Sequence, residues 1–293
     1  MMIPNHPSSK PLDISDKPEL DRLFAELQPQ VSELTFANLY LFRKAHDYQL
    51  GRIGGSLIVT GCGYDGNRYC LPPLGGDMKE ALTALSNDKM TIYGADESLA
   101  QHCRDTHIAD CTEDRDSFDY LYLREELATL PGNRFHKKKN RIHYFTLRHS
   151  YHTEIYSPDI HQAACLSLLE TWRRMSRLEQ NRSLDLELEA TVEALAQAPL
   201  LSLEGIVAIS GETVVAFALG ERLNSETAVC HFEKADPFLE GASQLINREF
   251  AACLFNDCRY LNREQDLGEA GLRSAKLSYH PVELIKKYRV RLS

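Results

Sequence analysis

Apolar residues recur along the chain at two spacings, one typical of helices and one typical of strands. Leu20, Leu23, Phe24 and Leu27 follow Pro18 at helical spacing and predict an amphipathic helix, since proline suits the first helical turn. The same criteria predict a helix over 78–85 and strands over 53–60 and 119–123. The first part of the chain therefore mixes helices with strands.

The second part of the chain shows the same mixture with longer elements. Pro158 and Asp159 open an apolar helical pattern whose expected buried face includes Ile160, Ala163 and Leu168. The other predicted elements are helices at 184–197, 241–254 and 272–277, strands at 206–209, 213–220, 227–234 and 259–262, and a closing turn and tail at 282–288. This order of elements predicts an α+β protein.

Composition narrows the class of protein. The 293 residues predict two domains, at roughly 100–200 residues per domain. A formal net charge of −9 argues against a duplex-DNA binder, which needs surplus Lys and Arg. No apolar run approaches the roughly 20 residues that span a bilayer, and the polar start does not resemble a signal peptide. The eight cysteines form no CxxC pair. We therefore expect a soluble, cytoplasmic protein with no transmembrane segment.

The segment 127–153 contains six Lys or Arg residues, four histidines and no acidic residue. Lys137, Lys138, Lys139 and Arg141 form its centre, with aromatic residues interleaved, a pattern that favours phosphate groups and unpaired bases. The alternative is the solvated face of a helix. We place the domain junction here, which predicts an N-terminal domain of residues 1–145 and a C-terminal domain of residues 146–293.

Polar residues are densest where the last predicted strand ends. Residues 262–268 (NREQDLG) and 271–279 (GLRSAKLSY) carry amide, guanidinium and carboxylate groups, which suit a substrate-binding site. The alternative is a solvated loop. Several motifs are missing from the chain: GxGxxG, the P-loop, HExxH and GxSxG. Nucleotide-binding, metalloprotease and α/β-hydrolase interpretations therefore lose support.

A second polar cluster lies on the strand predicted at 227–234. His231 and Glu233 share one face of this strand, while Lys234 points to the other. The carboxylate of Glu233 could accept a proton from an attacking amine, and the alternative is a structural ion pair. Gly241 opens the next helix, where free N–H groups could bind a phosphate or a carbonyl oxygen.

Four segments carry a resemblance to a known family. Residues 32–40 (SELTFANLY) resemble the opening of a bacterial family of unknown role, itself similar to the C-terminal catalytic region of phosphatidylglycerol lysyltransferases. The other matching segments are 119–122 with 137–140, 231–236, and 262–268 continuing through 276–279. The resemblance therefore covers most of the chain.

The resemblance implies an α+β fold of two tandem GNAT-like acyltransferase lobes with mixed sheets, as in the Fem aminoacyltransferases. Those relatives move an aminoacyl group from charged tRNA to an amine or hydroxyl acceptor. Residues 271–276 (GLRSAK) resemble a Fem segment whose lysine lies at the reacting centre, which implies that role for Lys276. The sequence around Gly241 differs from the pyrophosphate loop of acetyl-CoA enzymes, so an acyl-CoA is the second choice of donor. The chain lacks the membrane domain of the lysyltransferases, so the acceptor stays open among a small molecule, a lipid head group and a peptide.

The resemblance implies acyl or aminoacyl transfer with charged tRNA as donor. Glu233 or Glu264 would take the proton, and Lys276 with Arg273 would stabilise the oxyanion or a phosphate. The other predicted substrate-binding residues are His231, Asn262, Arg263, Asp266 and Tyr279. No metal or other cofactor is required. We expect Glu233, Asn262, Glu264 and Lys276 to converge on one pocket of the C-terminal lobe. The alternative is a non-catalytic double-GNAT protein that binds an anionic ligand or a protein partner.

Overall fold

The computed structural model describes residues 2–63, 65–176 and 182–292. The helices are α1 (Lys17–Leu27), α2 (Phe36–Phe42), α3 (Met78–Asn87), α4 (Glu97–Asp105), α5 (Arg124–Thr129), α6 (His136–Thr146), α7 (Pro158–Ser176), α8 (Arg182–Leu201), α9 (Ala242–Cys253) and α10 (Ala270–Leu277), with 3-10 turns at Ile14–Asp16 and Arg115–Ser117. Within the described ranges, none of these helices has both the length and the apolar character needed to cross a bilayer.

The strands form two sheets. Their bounds are β1 (Lys10–Pro11), β2 (Gln49–Ile53), β3 (Ser56–Cys62), β4 (Arg68–Cys70), β5 (Thr91–Ala95), β6 (Ala109–Glu113), β7 (Asp119–Leu123), β8 (His152–Ile155), β9 (Glu204–Ser210), β10 (Thr213–Arg222), β11 (Thr227–Ala235), β12 (Tyr260–Asn262), β13 (Glu283–Ile285) and β14 (Tyr288–Leu292). The first sheet has the order β1-β2-β3-β4-β5-β14-β6, and the second has the order β13-β7-β12-β11-β10-β9-β8. Each sheet combines antiparallel pairs with a parallel one, β4–β5 in the first and β11–β12 in the second. Both sheets are therefore mixed, as the sequence predicts.

The chain ends in an interior strand of the first sheet. The sequence pattern predicts a turn and tail here, and this prediction is wrong. Strand β14 pairs with β5 on one side and with β6 on the other. Tyr288, Val290 and Leu292 are buried and alternate with the exposed Arg289 and Arg291. This two-residue period is typical of a strand, and five residues suffice to bury one face against α3 and α4.

A tight hairpin replaces the single strand predicted over 53–60. The chain reverses at Gly54 and Gly55, whose φ angles of 54° and 79° lie in the left-handed region that glycine adopts without strain. Ile53 pairs with Ser56 across the turn, so only two residues separate β2 from β3. A Gly-Gly pair between apolar residues indicates a hairpin. The prediction missed it because the apolar residues on both sides of the pair resemble one continuous strand.

A buried lysine joins three other residues into what we call the Lys287 cluster: Ser32, Glu33, Asp119 and Lys287. The Lys287 ammonium donates to Asp119 Oδ1 at 2.7 Å and to Glu33 Oε2 at 2.5 Å. The Ser32 amide and hydroxyl donate to the two oxygens of Asp119 at 2.7 and 2.9 Å. Burial disfavours the charged form of Lys287, but the two carboxylates outweigh it and raise its pKa. Every charge in the cluster thus faces an opposite charge or a hydrogen bond.

The predicted strands at 206–209, 213–220 and 227–234 are confirmed as β9, β10 and β11, which pair as consecutive antiparallel neighbours. The long apolar run of β10 is buried because α7 and α9 pack against it. Such a run is typical of a strand covered on both faces. Strand β12 then lies parallel to β11, which brings its end near the middle of the sheet.

Helix α7 begins at Pro158 as predicted, but its buried face differs from the predicted one. Ile160 is 71% exposed and Ala163 is also exposed, whereas Cys165 and Leu168 are buried. His161 takes the buried place beside Ile160, because its ring accepts a hydrogen bond from the Ser157 amide at 3.0 Å. A polar residue can be buried when its polar atoms form hydrogen bonds in this way. A prediction from the apolar residues alone therefore places the buried face of the helix at the wrong angle.

The chain divides into two compact units. The first unit consists of Met1–Tyr120, Gln265–Arg273 and Leu284–Ser293, and the second unit of Leu121–Glu264 and Ser274–Glu283. These units differ from the expected domains of residues 1–145 and 146–293. The basic segment 127–153 belongs to the second unit, and β14 belongs to the first. The expected boundary assumes a single crossing of the chain, whereas the chain passes between the units four times.

Candidate active site

The loop that follows β12 in the second unit is held in a tight turn. Glu264 has a φ of 56°, in the left-handed region that costs a residue other than glycine about 1–3 kcal/mol. Asn262 is fully buried and its Oδ1 accepts a hydrogen bond from the Glu264 amide at 2.7 Å. The buried Lys276 ammonium donates to the main-chain carbonyls of Arg263 and Glu264, at 3.1 Å for the latter. Three predicted site residues, Asn262, Glu264 and Lys276, are thus brought together.

Glu233 lies on β11 and organises a second set of contacts, which we call the Glu233 group: Glu233, Asn247 and Arg263. Glu233 Oε2 accepts hydrogen bonds from Arg263 Nη2 and from Asn247 Nδ2, both at 3.0 Å. Burial disfavours the charged guanidinium, but the Glu233 carboxylate outweighs it and raises the pKa of Arg263. Arg263 therefore links this group to the Lys276-bound loop through its own main chain.

Asn247 is a member of this group that the sequence analysis missed. It lies on the buried face of α9, between the apolar residues Leu245, Ile246, Phe250 and Ala251, and it is 2% exposed. A buried amide on an apolar helix face needs hydrogen-bond partners. A lone asparagine in an apolar helical pattern therefore indicates a polar contact inside the fold. Here its amide reaches a carboxylate on the neighbouring strand.

His231 lies between two carboxylates on the same face of the sheet as Glu233. Its side chain is 2% exposed, with Nδ1 at 2.7 Å from Glu264 Oε1 and Nε2 at 2.9 Å from Glu221 Oε1. Burial alone would lower the pKa of His231, but the hydrogen bonds to Glu221 and Glu264 outweigh it and raise the pKa to about 10. The ring is therefore an imidazolium at neutral pH and donates to both carboxylates. Glu221 is a second partner that the sequence analysis missed. Lys234 lies on the opposite face of β11, where its ammonium pairs with Glu187 Oε1 at 2.6 Å.

A pocket of about 430 Å³ lies at the start of α6 and is lined by Asn133, Arg134, His136, Lys137, Lys138, Ser278 and His280. The Lys138 ammonium donates to Ser278 Oγ at 2.6 Å and lies 4.0 Å from the centre of the Tyr279 ring. Burial and then the nearby charge of Arg263 lower the pKa of Lys138 to about 8. The Arg263 guanidinium lies 4.9 Å from the centre of the same ring. Tyr279 thus contacts both the pocket and the Glu233 group.

The four basic residues predicted to bind phosphate separate into two pairs. Lys137 and Lys138 line the pocket, and among the described residues neither forms an ion pair with a carboxylate. Lys139 instead donates to the Gly132 carbonyl at 2.9 Å, and Arg141 pairs with Glu240 at 2.6 Å. Within the described ranges, Lys137 and Lys138 therefore bring positive charge to the pocket without a carboxylate paired to either.

Asp266 and Arg273 lie in the first unit, whereas the other predicted site residues lie in the second. Asp266 is fully buried and accepts hydrogen bonds from Tyr120 at 2.5 Å, Arg273 at 2.9 Å and Arg115 at 3.1 Å. Burial raises the pKa of Asp266, but these donors and the Gly268 amide outweigh it and hold the pKa well below its usual range. Arg273 also pairs with Asp116 at 2.6 Å. Both charges are thus engaged with the first unit's own residues.

Comparison with known proteins identifies relatives of this chain and of its fold. Residues 24–291 match the family described as "Phosphatidylglycerol lysyltransferase, C-terminal". A conserved protein of unknown function from Bacteroides thetaiotaomicron VPI-5482 is 32% identical in sequence, and the match covers 100% of both chains with a TM-score of 0.90. An uncharacterized protein of Mycoplasmoides gallisepticum, MYCGA3080, is 24% identical over 180 residues, which are 60% of this chain and 56% of that protein. The match thus spans little more than half of this curated relative.

Two more distant structures show the fold. L-PGS from Bacillus licheniformis has 14% identity and a TM-score of 0.64, with 98% of this chain and 94% of that chain covered. A tandem GNAT protein from the clavulanic acid biosynthesis pathway has 12% identity and a TM-score of 0.50, with 96% and 97% covered. These similarities and the two mixed sheets confirm the predicted tandem GNAT-like α+β fold.

Proposed function

We propose a function from one premise: this chain belongs to the family of phosphatidylglycerol lysyltransferase C-terminal regions. Its members are acyltransferase-like proteins, and this chain would transfer an aminoacyl or other acyl group from charged tRNA to an amine or hydroxyl acceptor. The observation that carries the proposal is the meeting, within the second unit, of the Glu233 group and a cationic pocket through Tyr279. One part could manage a proton while the other holds a phosphate.

Glu233 is the residue that we assign to the proton. Both of its observed hydrogen bonds end on Oε2, and among the described residues Oε1 has no hydrogen-bond partner. An acceptor amine would attack the ester carbonyl carbon, forming a C–N bond while the C–O bond to the terminal ribose of the tRNA breaks. Glu233 would take the amine proton, and the ribose oxygen would leave with a proton. Glu264 suits this role less well, because the His231 imidazolium already donates to it.

Lys276 would shape the site and add positive charge beside it. Its ammonium fixes the turn at Glu264 through two carbonyls, and the same charge favours a developing oxyanion close to that turn. The donor would be held at the pocket, where Lys137 and Lys138 offer charge to a phosphate of the tRNA acceptor end. Lys139 and Arg141 would contribute weakly, since other groups of the protein engage them.

A second candidate function is binding of an anionic ligand without catalysis. It is favoured by the pairing of both candidate carboxylates, Glu233 with Arg263 and Glu264 with His231. An enzyme of the proposed kind would shorten the lifetime of aminoacyl-tRNA when an acceptor is present. A binding protein would protect the ester or leave it unchanged.

The experiment that separates the two functions follows a pool of radiolabelled aminoacyl-tRNAs incubated with the purified chain. Candidate acceptors are supplied as three sets: small amines and alcohols, phospholipid vesicles, and short peptides. The proposal expects label to move to one set at a rate proportional to enzyme concentration. Stable retention of all labelled esters, together with saturable tRNA or anion binding, would favour the binding protein.

A further inference from the structure

Two buried polar atoms of the Glu233 group have no hydrogen-bond partner among the described residues: Asn247 Oδ1 and Arg263 Nη1. The other polar atoms of the same side-chain groups, Asn247 Nδ2 and Arg263 Nη2, both donate to Glu233 Oε2 at 3.0 Å. The unpaired acceptor and the unpaired donor therefore lie around one carboxylate. Elsewhere in the described part of the chain, only Ser56 Oγ and Gln197 Oε1 are buried and unpaired in this way.

This concentration of unpaired atoms calls for a physical reason. A buried donor or acceptor without a partner is unfavourable, and native proteins keep few of them. Asn247 lies among apolar residues on the buried face of its helix, yet among the described residues only one of its two amide atoms has a hydrogen-bond partner. Retaining an amide there makes sense if a bound group completes its hydrogen bonds.

The atoms specify the chemistry of that group. Asn247 Oδ1 accepts hydrogen bonds, whereas Arg263 Nη1 donates one. A phosphate dianion offers only acceptors and cannot donate to Asn247 Oδ1, and an acetyl group offers no donor either. The amine and the carbonyl oxygen of an aminoacyl group together supply the donor and the acceptor that these two atoms require, which leaves Glu233 Oε1 for the acceptor amine.

We propose that Asn247 and Arg263, beside Glu233, form the subsite that holds the α-amino and carbonyl groups of the transferred aminoacyl unit. This inference rests on the proposed function and adds Asn247 to the residues that contact substrate. The pocket at Lys138 would hold the phosphate-bearing part of the donor, and Tyr279, which contacts both Lys138 and Arg263, would mark the passage from one to the other.

The test measures binding of glycinamide, which carries an amine and a carbonyl but no side chain. Wild-type protein, Asn247→Leu and Gln197→Leu are titrated by NMR, with acetamide as the ligand that lacks the amine. Gln197 is the matched control because its amide is also buried and partly unpaired but hydrogen-bonds to Glu193, outside the Glu233 group. We expect Asn247→Leu to lose at least about tenfold in affinity, because the acceptor for the amine is gone. We expect Gln197→Leu to bind as the wild type does, and acetamide to bind far more weakly than glycinamide.

Equal glycinamide binding by Asn247→Leu and wild type, or no binding by wild type, would overturn the subsite. If Asn247→Leu does not fold, a crystal of the wild-type protein soaked in glycinamide decides. Density for the amine within hydrogen-bond distance of Asn247 Oδ1 supports the subsite, and a water molecule alone at that position refutes it. The proposed function is judged separately. Glycinamide binding without aminoacyl transfer would support the subsite and reject the proposed function. Full transfer by Asn247→Leu would support the proposed function and reject the subsite.

Discussion

The two units each bury a group of charged residues, and the two groups are completed to different degrees. In the first unit, the Lys287 cluster joins one ammonium to two carboxylates and a hydroxyl, with the main-chain amide of Ser32 closing the set. In the second unit, the Glu233 group also pairs its charges but leaves Asn247 Oδ1 and Arg263 Nη1 without partners among the described residues. A completed network stabilises a fold, whereas an incomplete one keeps hydrogen-bonding capacity that a bound group could use. On this basis we propose a structural role for the first group and a functional role for the second.

The largest effect on stability is expected in the Lys287 cluster. Lys287→Met would leave the buried Asp119 carboxylate and the half-buried Glu33 carboxylate without their cation, a change that costs about 3–5 kcal/mol of unfolding free energy. Urea denaturation measures this loss. Lys286→Met is the matched control, since Lys286 is exposed in its pair with Glu113 and its replacement should cost far less than that of Lys287. Equal losses in the two variants would contradict a structural role for the cluster.

Lys276 is a buried lysine of the second unit whose ammonium donates to the main-chain carbonyls of Arg263 and Glu264. Lys276→Ala would remove charge-assisted hydrogen bonds from the turn at Glu264, at a cost of about 1.5–3 kcal/mol. We expect this smaller loss in the same urea experiment, accompanied by a loss of acyl transfer. A variant as unstable as Lys287→Met would show that the second unit depends on its lysine as strongly as the first.

His231 should make stability depend on pH. Because its folded pKa of about 10 lies above the ordinary histidine value, the folded protein holds one extra proton between about pH 6.5 and pH 10. The contribution is therefore complete below about pH 6.5 and disappears as pH rises toward 10, by at most about 1.4 kcal/mol per pH unit. Unfolding free energies of wild type and His231→Gln at pH 7, 8 and 9 should converge. A constant difference between them would refute the imidazolium.

The smallest expected effect distinguishes neighbouring lysines on α6. Lys137→Gln should weaken tRNA binding and flatten its salt dependence by about one unit of slope, because a phosphate contact is lost at the pocket. Lys139→Gln is the control, since Lys139 hydrogen-bonds to the Gly132 carbonyl. Binding curves at several salt concentrations measure both. Identical slopes for the two variants would favour a diffuse basic face over a pocket.

Local patterns in the sequence predict most of the elements, because helices and strands are set by short-range periodicity. The same patterns fail where contacts with residues far along the chain determine the secondary structure of a segment. Strand β14 is central only because β5 and β6, which both lie in the first half of the chain, receive it. The alternation of Tyr288, Val290 and Leu292 is present in the sequence, but so short a segment at the chain end also suits a tail.

The sequence predicts most residues of the candidate site, but it includes two that lie elsewhere and misses two that belong to it. Glu233, Asn262, Arg263, Glu264 and Lys276 all lie in the second unit, as their two sequence clusters suggest. Asp266 and Arg273 do not, because the chain leaves the second unit between Glu264 and Gln265. Sequence proximity could not show this crossing. Nor could it show that Glu221 and Asn247 complete the site, since each meets its partner across separate elements.

The central claim, that the incomplete group of the second unit performs transfer, is tested most directly by Glu233→Gln under single turnover. The glutamine keeps the size of the side chain but cannot take the proton, so the account predicts a rate of aminoacyl transfer reduced by about 10²-fold or more. The exposed Glu212→Gln variant, in the turn between β9 and β10, should retain the wild-type rate. Glu212→Gln should keep the wild-type melting temperature, whereas Glu233→Gln should lower it, because the buried Arg263 loses its carboxylate partner. The transfer rates are therefore compared well below both melting temperatures. Wild-type transfer by a folded Glu233→Gln variant would contradict the account.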